Sequence, residues 1–229
     1  MSKEEKPIKL SPSSINLMIE CPRCFWLAIH KIWKRPEGIF PSLPSGMDKV
    51  LKEHFDKFMK KGELPPEIRE YGINNGYKLF DDKKKLDIWR SNFKGMQYKD
   101  KTSGTILRGA IDNILKKENK LIVLDYKTRG FPLKEDTHEH YQAQMDIYNF
   151  LLRKNGYETE DYTYLLFYYP KEVSDTGELI FNTKLIKIKT NAEQGKKYFD
   201  DAIKLLKEEC PEKTCEWCEL MKVRSDKQL

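Results

Sequence analysis

The segment Leu121-Ile122-Val123-Leu124-Asp125-Tyr126-Lys127 restricts the fold more than any other part of the chain. Four consecutive branched aliphatic residues, preceded by the polar stretch Lys116-Lys117-Glu118-Asn119, read as a buried β-strand. Its far end carries two opposite charges. Side chains alternate across a strand, so Asp125 and Lys127 face the same way. An earlier β-rich run, Thr105–Leu115, carries Asp112 behind Gly109-Ala110-Ile111. If the two runs pair as a hairpin, Asp112 comes close to Asp125.

The flanking patterns supply the cover that a buried strand needs. Ser11-Pro12 opens a helical stretch that runs amphipathically from Ile15 to His30. Residues 35–45 read as a loop, and a helix follows from Gly46 to about Lys60, with Val50, Leu51, His54, Phe55 and Phe58 near one side. Residues 62–82 predict an irregular connection, and Lys85–Phe93 a short helix. A long helical pattern spans Glu135–Lys154 and ends near Gly156. Strands are expected at Tyr162–Tyr169 and Leu179–Lys189, and a last helix over Asn191–Glu209. Helices alternating with strand pairs predict an α/β fold, a mixed central sheet with helices on its faces. The aromatics Trp89 and Phe93, in the stretch 62–100, read as packing that segment onto the core, with stacking on a base in a capped substrate channel the alternative.

A chain of 229 residues suits one unit of this kind, and we expect 1–229 to form a single domain. Lys+Arg exceed Asp+Glu by 42 to 36, a modest excess that suits a polyanionic partner without requiring one. No apolar run is long enough to span a bilayer, and the start Met-Ser-Lys-Glu-Glu-Lys is no secretion signal. The expectation is a cytoplasmic protein without a membrane partner. The five cysteines of a reducing compartment then point to a metal rather than to disulfides.

Two carboxylates side by side repel unless a cation lies between them. Oxygen donors of this type suit Mg²⁺ or Mn²⁺. A lysine beside such an ion can orient or activate water, or neutralise charge developing on a phosphate. These parts suffice to hydrolyse a phosphodiester. Asp-x-Lys alone is short and common, and a surface ion pair would also produce it; Asp112 one strand earlier makes the set more specific.

Gly109-Ala110-Ile111-Asp112, Asp125-Tyr126-Lys127 and Gln144-Met145-Asp146-Ile147-Tyr148 follow one another in order. This succession resembles the PD-(D/E)XK nuclease superfamily, in particular its RecB-like branch, and it extends over nearly the whole chain. The resemblance implies a restriction-endonuclease-like core, with Asp112, Asp125 and Lys127 as catalytic residues. It implies a metal held by Asp112, Asp125, the backbone carbonyl of Tyr126, and His54 on an early helix. Gln144 and Tyr148 lie one helical turn apart, joined on that face by Tyr141, and the resemblance makes them substrate-binding. His138 and His140 precede that helix without a spacing that assigns them a role.

Cys21-Pro-Arg-Cys24 and Cys215-Glu-Trp-Cys218 form a CxxC…CxxC tetrad that fits Zn²⁺ or an iron–sulfur cluster. A set of Cys21, Cys210, Cys215 and Cys218 is the alternative. The resemblance to the iron–sulfur CRISPR-associated exonucleases and the AddB-type nuclease domain implies a [4Fe-4S] cluster, with zinc the alternative. Either group would join residues 11–30 to 205–220 in a metal annex away from the hydrolysis. By the same resemblance the activity is a DNA exonuclease in repair, recombination or CRISPR-type processing. With no Walker-type loop in the chain, a separate helicase or CRISPR-type protein is the expected partner. A structure-specific endonuclease, or a non-catalytic nucleic-acid-binding module of the same fold, are the rival readings.

Overall fold

The computed structural model describes residues 7–39 and 41–226, and the side chains of these up to residue 221. In chain order the elements are β1 (Lys9–Leu10), α1 (Pro12–Glu20), α2 (Pro22–Ile29), α3 (Ser42–Lys61), α4 (Pro66–Arg69), β2 (Tyr77–Leu79), α5 (Lys83–Trp89), β3 (Met96–Lys99), β4 (Ile106–Gly109), β5 (Asn113–Lys117), β6 (Lys120–Thr128), α6 (Gln142–Lys154), β7 (Tyr162–Val173), β8 (Leu179–Lys189), α7 (Ala192–Leu205) and α8 (Glu216–Asp226). The expected α/β class and mixed sheet are present. No helix among the described residues is long and apolar enough to cross a membrane.

The main sheet has the order β2-β5-β6-β7-β8, with β6 at its centre. β5 and β6 pair antiparallel, while β6 and β7 pair parallel across the crossover that contains α6. Both faces of β6 are covered. Leu121 and Val123 join the cluster that includes Met145, Leu151 and Phe199 from α6 and α7. Ile122, Leu124 and Tyr126 join the cluster that includes Leu51 and Phe55 of α3. This period-2 division sends Asp125 and Lys127 toward the α6 side, as the alternation requires.

Several boundaries differ from the sequence expectation, each for a local reason. The run Thr105–Leu115 is two strands in two sheets: β4 belongs to a small sheet of order β1-β4-β3, and β5 to the main one. The chain crosses between them at Ala110-Ile111-Asp112, where the Ile111 N–H donates to the Trp89 carbonyl. The stretch Ile15–His30 breaks at Cys21, which caps α2 ahead of Pro22. Pro41 and Pro44 do not delay α3 to Gly46; the helix starts at Ser42, because a first-turn proline removes only an N–H that has no partner inside the helix. The expected helix from Glu135 begins at Gln142, after a 3₁₀ turn over Thr137–Tyr141. The strand β2, in the connection read as irregular, and helix α8, in the cysteine tail, lacked a long enough periodic signal to be read.

α6 and α7 approach so closely that Gly195 is required between them. A Cβ at Gly195 would lie 2.4 Å from the carbonyl oxygen of Asp146. The same contact is tied by the Asn191 N–H, which donates to Asp146 Oδ1 at 2.8 Å, and by Asn149 Nδ2, which donates to Thr190 Oγ1 at 2.6 Å. Gly195→Ala should therefore destabilise the protein by about 1–3 kcal/mol through overpacking against backbone. Gly46→Ala, at an exposed α3 position with no atom nearby, should instead be neutral or stabilise by roughly 0.5–1 kcal/mol. Urea midpoints of the two variants would have to move in opposite directions, or the Gly195 variant alone would have to fall.

Candidate active site

The β5–β6 register sets Asn113 opposite Leu124, so one further step outward brings Asp112 beside Asp125. The Tyr126 N–H confirms this placement by donating to Asp112 Oδ2 at 3.2 Å. Asp125 is 1% exposed, and its Oδ2 forms an ion pair with Lys127 Nζ. Lys127 Nζ also donates to Gln144 Oε1 at 3.1 Å and lies 4.5 Å from the centroid of the Tyr141 ring. Gln144 Nε2 donates to the Tyr148 hydroxyl at 2.7 Å, and that hydroxyl donates to the Ala110 carbonyl at 2.5 Å. The Gln144–Tyr148 pair thus forms a chain of hydrogen bonds from Lys127 to the peptide two residues before Asp112.

Gly109 belongs to the same arrangement. A Cβ there would stand 2.8 Å from Cε1 of the Tyr148 ring. The glycine of Gly-x-x-Asp and the tyrosine of Gln-x-x-x-Tyr are therefore packing partners. Tyr126 turns its side chain to the opposite face, where its hydroxyl accepts from Asn113 Nδ2 at 2.6 Å and its ring packs 4.7 Å from Phe55.

These groups line a cavity of about 410 Å³. Asp112, Asp125, Lys127, Gln144 and Tyr148 lie on its wall, together with Asp48, Lys52, Arg90 and Arg108. Asp48 and Lys52 come from α3 and were not singled out in the sequence. Lys52 Nζ stands 2.8 Å from Asp48 Oδ2 and 3.1 Å from Asp112 Oδ1, between two carboxylates as a metal cation would stand. Arg90 Nε donates to the Asp112 carbonyl at 2.7 Å and Nη1 pairs with Asp56 at 2.8 Å, which fixes the Asp112 peptide. Three carboxylates facing one open space are hard oxygen donors of the type that Mg²⁺ and Mn²⁺ take. The signal for Asp48 and Lys52 was their i,i+4 spacing, too common on helix surfaces to be distinctive.

His54 is not brought to this cavity. Its Nε2 lies 2.8 Å from Glu67 Oε1, and its ring packs edge-on to Phe58. Glu67 also accepts from the Tyr168 hydroxyl at 2.9 Å, so His54 belongs to a contact between α3 and α4. The structure therefore does not bring His54 together with Asp112 and Asp125, the other expected metal ligands. His138 and His140, on the 3₁₀ turn, are likewise absent from the cavity wall.

Electrostatics follow from burial. Burial pushes the Asp125 carboxyl up to about 7; Lys127 works against this rise and Asp112 adds to it. Burial opposes the charge of Lys127, but Asp125 and Asp112 outweigh it and hold the ammonium above its ordinary value. Lys52 is raised in the same way, with burial outweighed by Asp112 and Asp48.

A second constellation lies at the chain's two ends. The Sγ atoms of Cys21, Cys24, Cys215 and Cys218 are all within 4.8 Å of one another. Cys210 is not in this group; its nearest hydrogen-bonding partner is the Pro211 carbonyl, 3.9 Å from Sγ. The two-plus-two set is therefore the one the fold assembles.

An α/β core whose central strand presents Asp-x-Lys beside a second aspartate is the scaffold of a metal-dependent phosphodiesterase. The sequence matches the PD-(D/E)XK nuclease superfamily over residues 45–223, and the chain belongs to that superfamily. Its members are generally metal-dependent nucleases that hydrolyse phosphodiester bonds. No curated protein matches the sequence. Among solved structures, that of SSO0001 aligns over 89% of this chain and 79% of its own, at 15% identity and a TM-score of 0.42.

The raised Asp125 carboxyl has a consequence for stability. Between pH 4 and 7 the folded protein binds a proton there that the unfolded chain does not, so stability falls as pH rises through that window and levels off above it. Without added Mg²⁺ or Mn²⁺, wild type should lose stability relative to Asp125→Asn on going from pH 5 to 8. Denaturant unfolding of both proteins across that range tests this; parallel pH profiles would refute it.

Proposed function

We propose that the protein is a deoxyribonuclease of the RecB-like branch that acts on DNA ends. The observation that carries this reading is the convergence of Asp48, Asp112, Asp125 and Lys127 on one open cavity that Arg90 and Arg108 also line. Asp112, Asp125 and the backbone carbonyl of Tyr126 would hold Mg²⁺ or Mn²⁺, with Asp48 as the helix-borne ligand in the role expected of His54. An ion bound there polarises a phosphoryl oxygen and makes bound water more acidic. Lys127 remains an ammonium at neutral pH, because its pKa is raised. It therefore donates to the attacking water or to a phosphate oxygen, and offsets the charge that develops there, instead of removing a proton.

Gln144 and Tyr148 act one step behind. Tyr148 is 4% exposed and its hydroxyl is engaged by the Ala110 carbonyl, so it would act through Gln144, which lines the cavity and holds Lys127. Tyr141 supports the same ammonium with its ring face. Arg108, with Ser11 and Ser13 at the start of α1, would position flanking phosphates, a contact that carries affinity without sequence preference. Exonuclease action is the activity this branch suggests by analogy. In this reading the whole chain, 1–229, is one nuclease unit with residues 11–30 and 205–220 as its thiolate annex, and a separate helicase or CRISPR-type protein delivers the DNA.

Cleavage of end-labelled single- and double-stranded DNA and of a closed circle tests the proposal. Linear DNA should be degraded only with Mg²⁺ or Mn²⁺, and the circle should survive. Asp125→Ala and Lys127→Ala should each lower the rate by roughly 10²–10³-fold or more while circular dichroism stays native. Cutting of the circle would replace the exonuclease with an endonuclease. Wild type that binds DNA but cuts nothing would remove the enzyme altogether.

A further inference from the structure

We infer that Cys21, Cys24, Cys215 and Cys218 hold a single tetrahedral zinc ion, and not the four-iron cluster that iron–sulfur nucleases lead one to expect. The sulfur spacing carries this. Cys24 Sγ lies 3.3 Å from Cys218 Sγ and 3.5 Å from Cys215 Sγ, and Cys218 Sγ lies 3.8 Å from both Cys21 Sγ and Cys215 Sγ. Thiolates at about 2.3 Å from one zinc ion, arranged tetrahedrally, are about 3.8 Å apart. A [4Fe-4S] cube interposes an iron at each corner, which spreads its four thiolates to roughly 6 Å. All four sulfurs here lie inside a 4.8 Å limit, so a cube would have to push every pair apart.

The surroundings agree with a small closed site. Cys21, Cys24 and Cys218 are 2%, 1% and 0% exposed, and Leu17 and Trp33 pack against them. Structural zinc sites are closed in this way, with four protein ligands and no open position. Four thiolates around one Zn²⁺ carry two surplus negative charges, and the fold provides donors for them. The Cys24 N–H donates to Cys21 Sγ at 3.5 Å, and Arg35 Nη2 donates to Cys215 Sγ at 3.7 Å. Such donors to ligand sulfur steady a thiolate site. Enlarging the site to a cube would also disturb the neighbouring ties between α2 and the C-terminal segment. Arg23 Nη1 donates to the Pro211 carbonyl at 2.8 Å, and Trp26 Nε1 to the Glu208 carbonyl at 3.0 Å.

The test uses the full chain, expressed with iron supplementation and purified without oxygen, so that cluster loss cannot mimic zinc. Elemental analysis and acid-labile sulfide should give one zinc per chain, iron and sulfide near zero, and no broad absorption at the violet end of the visible. Exchange with Co²⁺ should give the intense visible bands of a tetrahedral thiolate site. Cys210→Ser should keep its zinc, whereas Cys218→Ser should lose most of it. Iron in place of zinc, with or without sulfide, overturns the assignment, as does a metal-free protein with intact thiols or loss of zinc from the Cys210 variant. Metal content is read independently of DNA cleavage, so failure here leaves the nuclease proposal standing.

Discussion

Everything at the candidate site depends on keeping one carboxyl buried at the end of the central strand. Removing an ion from water costs several kcal/mol even after the protein relaxes. Asp125 lies at the end of an apolar run covered by helices on both sides, so it faces that cost directly. Lys127, two residues on, is the one cation that β6 itself can bring to the same face. Its own burial must then be compensated, and Gln144 on α6 does this with a hydrogen bond. Gln144 is fixed by Tyr148, Tyr148 by the Ala110 carbonyl, and the ring of Tyr148 fits because position 109 has no side chain. The three motifs form a closed loop of dependencies that starts from one desolvated oxygen.

The four-cysteine cluster is linked to the same cavity through α2 and α1. It fixes α2 against the C-terminal segment, and α1 is joined to α2 through Cys21, which ends one helix and caps the next. The other end of α1 is Ser11, whose side chain accepts from the Ser14 N–H and which lines the cavity with Ser13. A helix N-terminus directed at a cavity offers it partial positive charge. Fixing the far end of a short helix is thus a way to hold its near end at the site.

The sequence was most legible where one residue's environment is set by its own strand. The alternation through Leu121–Lys127 predicted which face Asp125 and Lys127 share, and the hairpin predicted Asp112 as neighbour. It was least legible where two elements meet at an angle. The run Thr105–Leu115 is uniformly β-like, so nothing in its composition marks the point at which it leaves one sheet for another. β2 is three residues long and is stabilised by pairing with β5, a long-range effect that no local pattern records. The clustering of Cys215 and Cys218 with Cys21 and Cys24 was readable, but the fact that they open a helix was not, because a CxxC hook in a polar tail suits a loop equally well.

The position of His54, away from the cavity, has a specific origin. The buried stripe of α3 is narrower than the apolar residues suggest: Leu51 and Phe55 are buried, but Val50 is 59% exposed. At 3.6 residues per turn, Asp48 and His54 are separated by about 120° around the axis. The stripe of Leu51 and Phe55 runs between them and packs on Tyr126. When that stripe docks on the sheet, one flank of the helix turns to the cavity and the other away from it. Asp48 and Lys52 share the first flank, and His54 lies on the second, against α4. Centring the apolar face on Val50 and His54 rotates the helix and turns His54, not Asp48, toward the cavity. The rotation of α3 is set by Phe55 against Tyr126, the middle residue of Asp-x-Lys, whose side chain points to the face opposite the two charges.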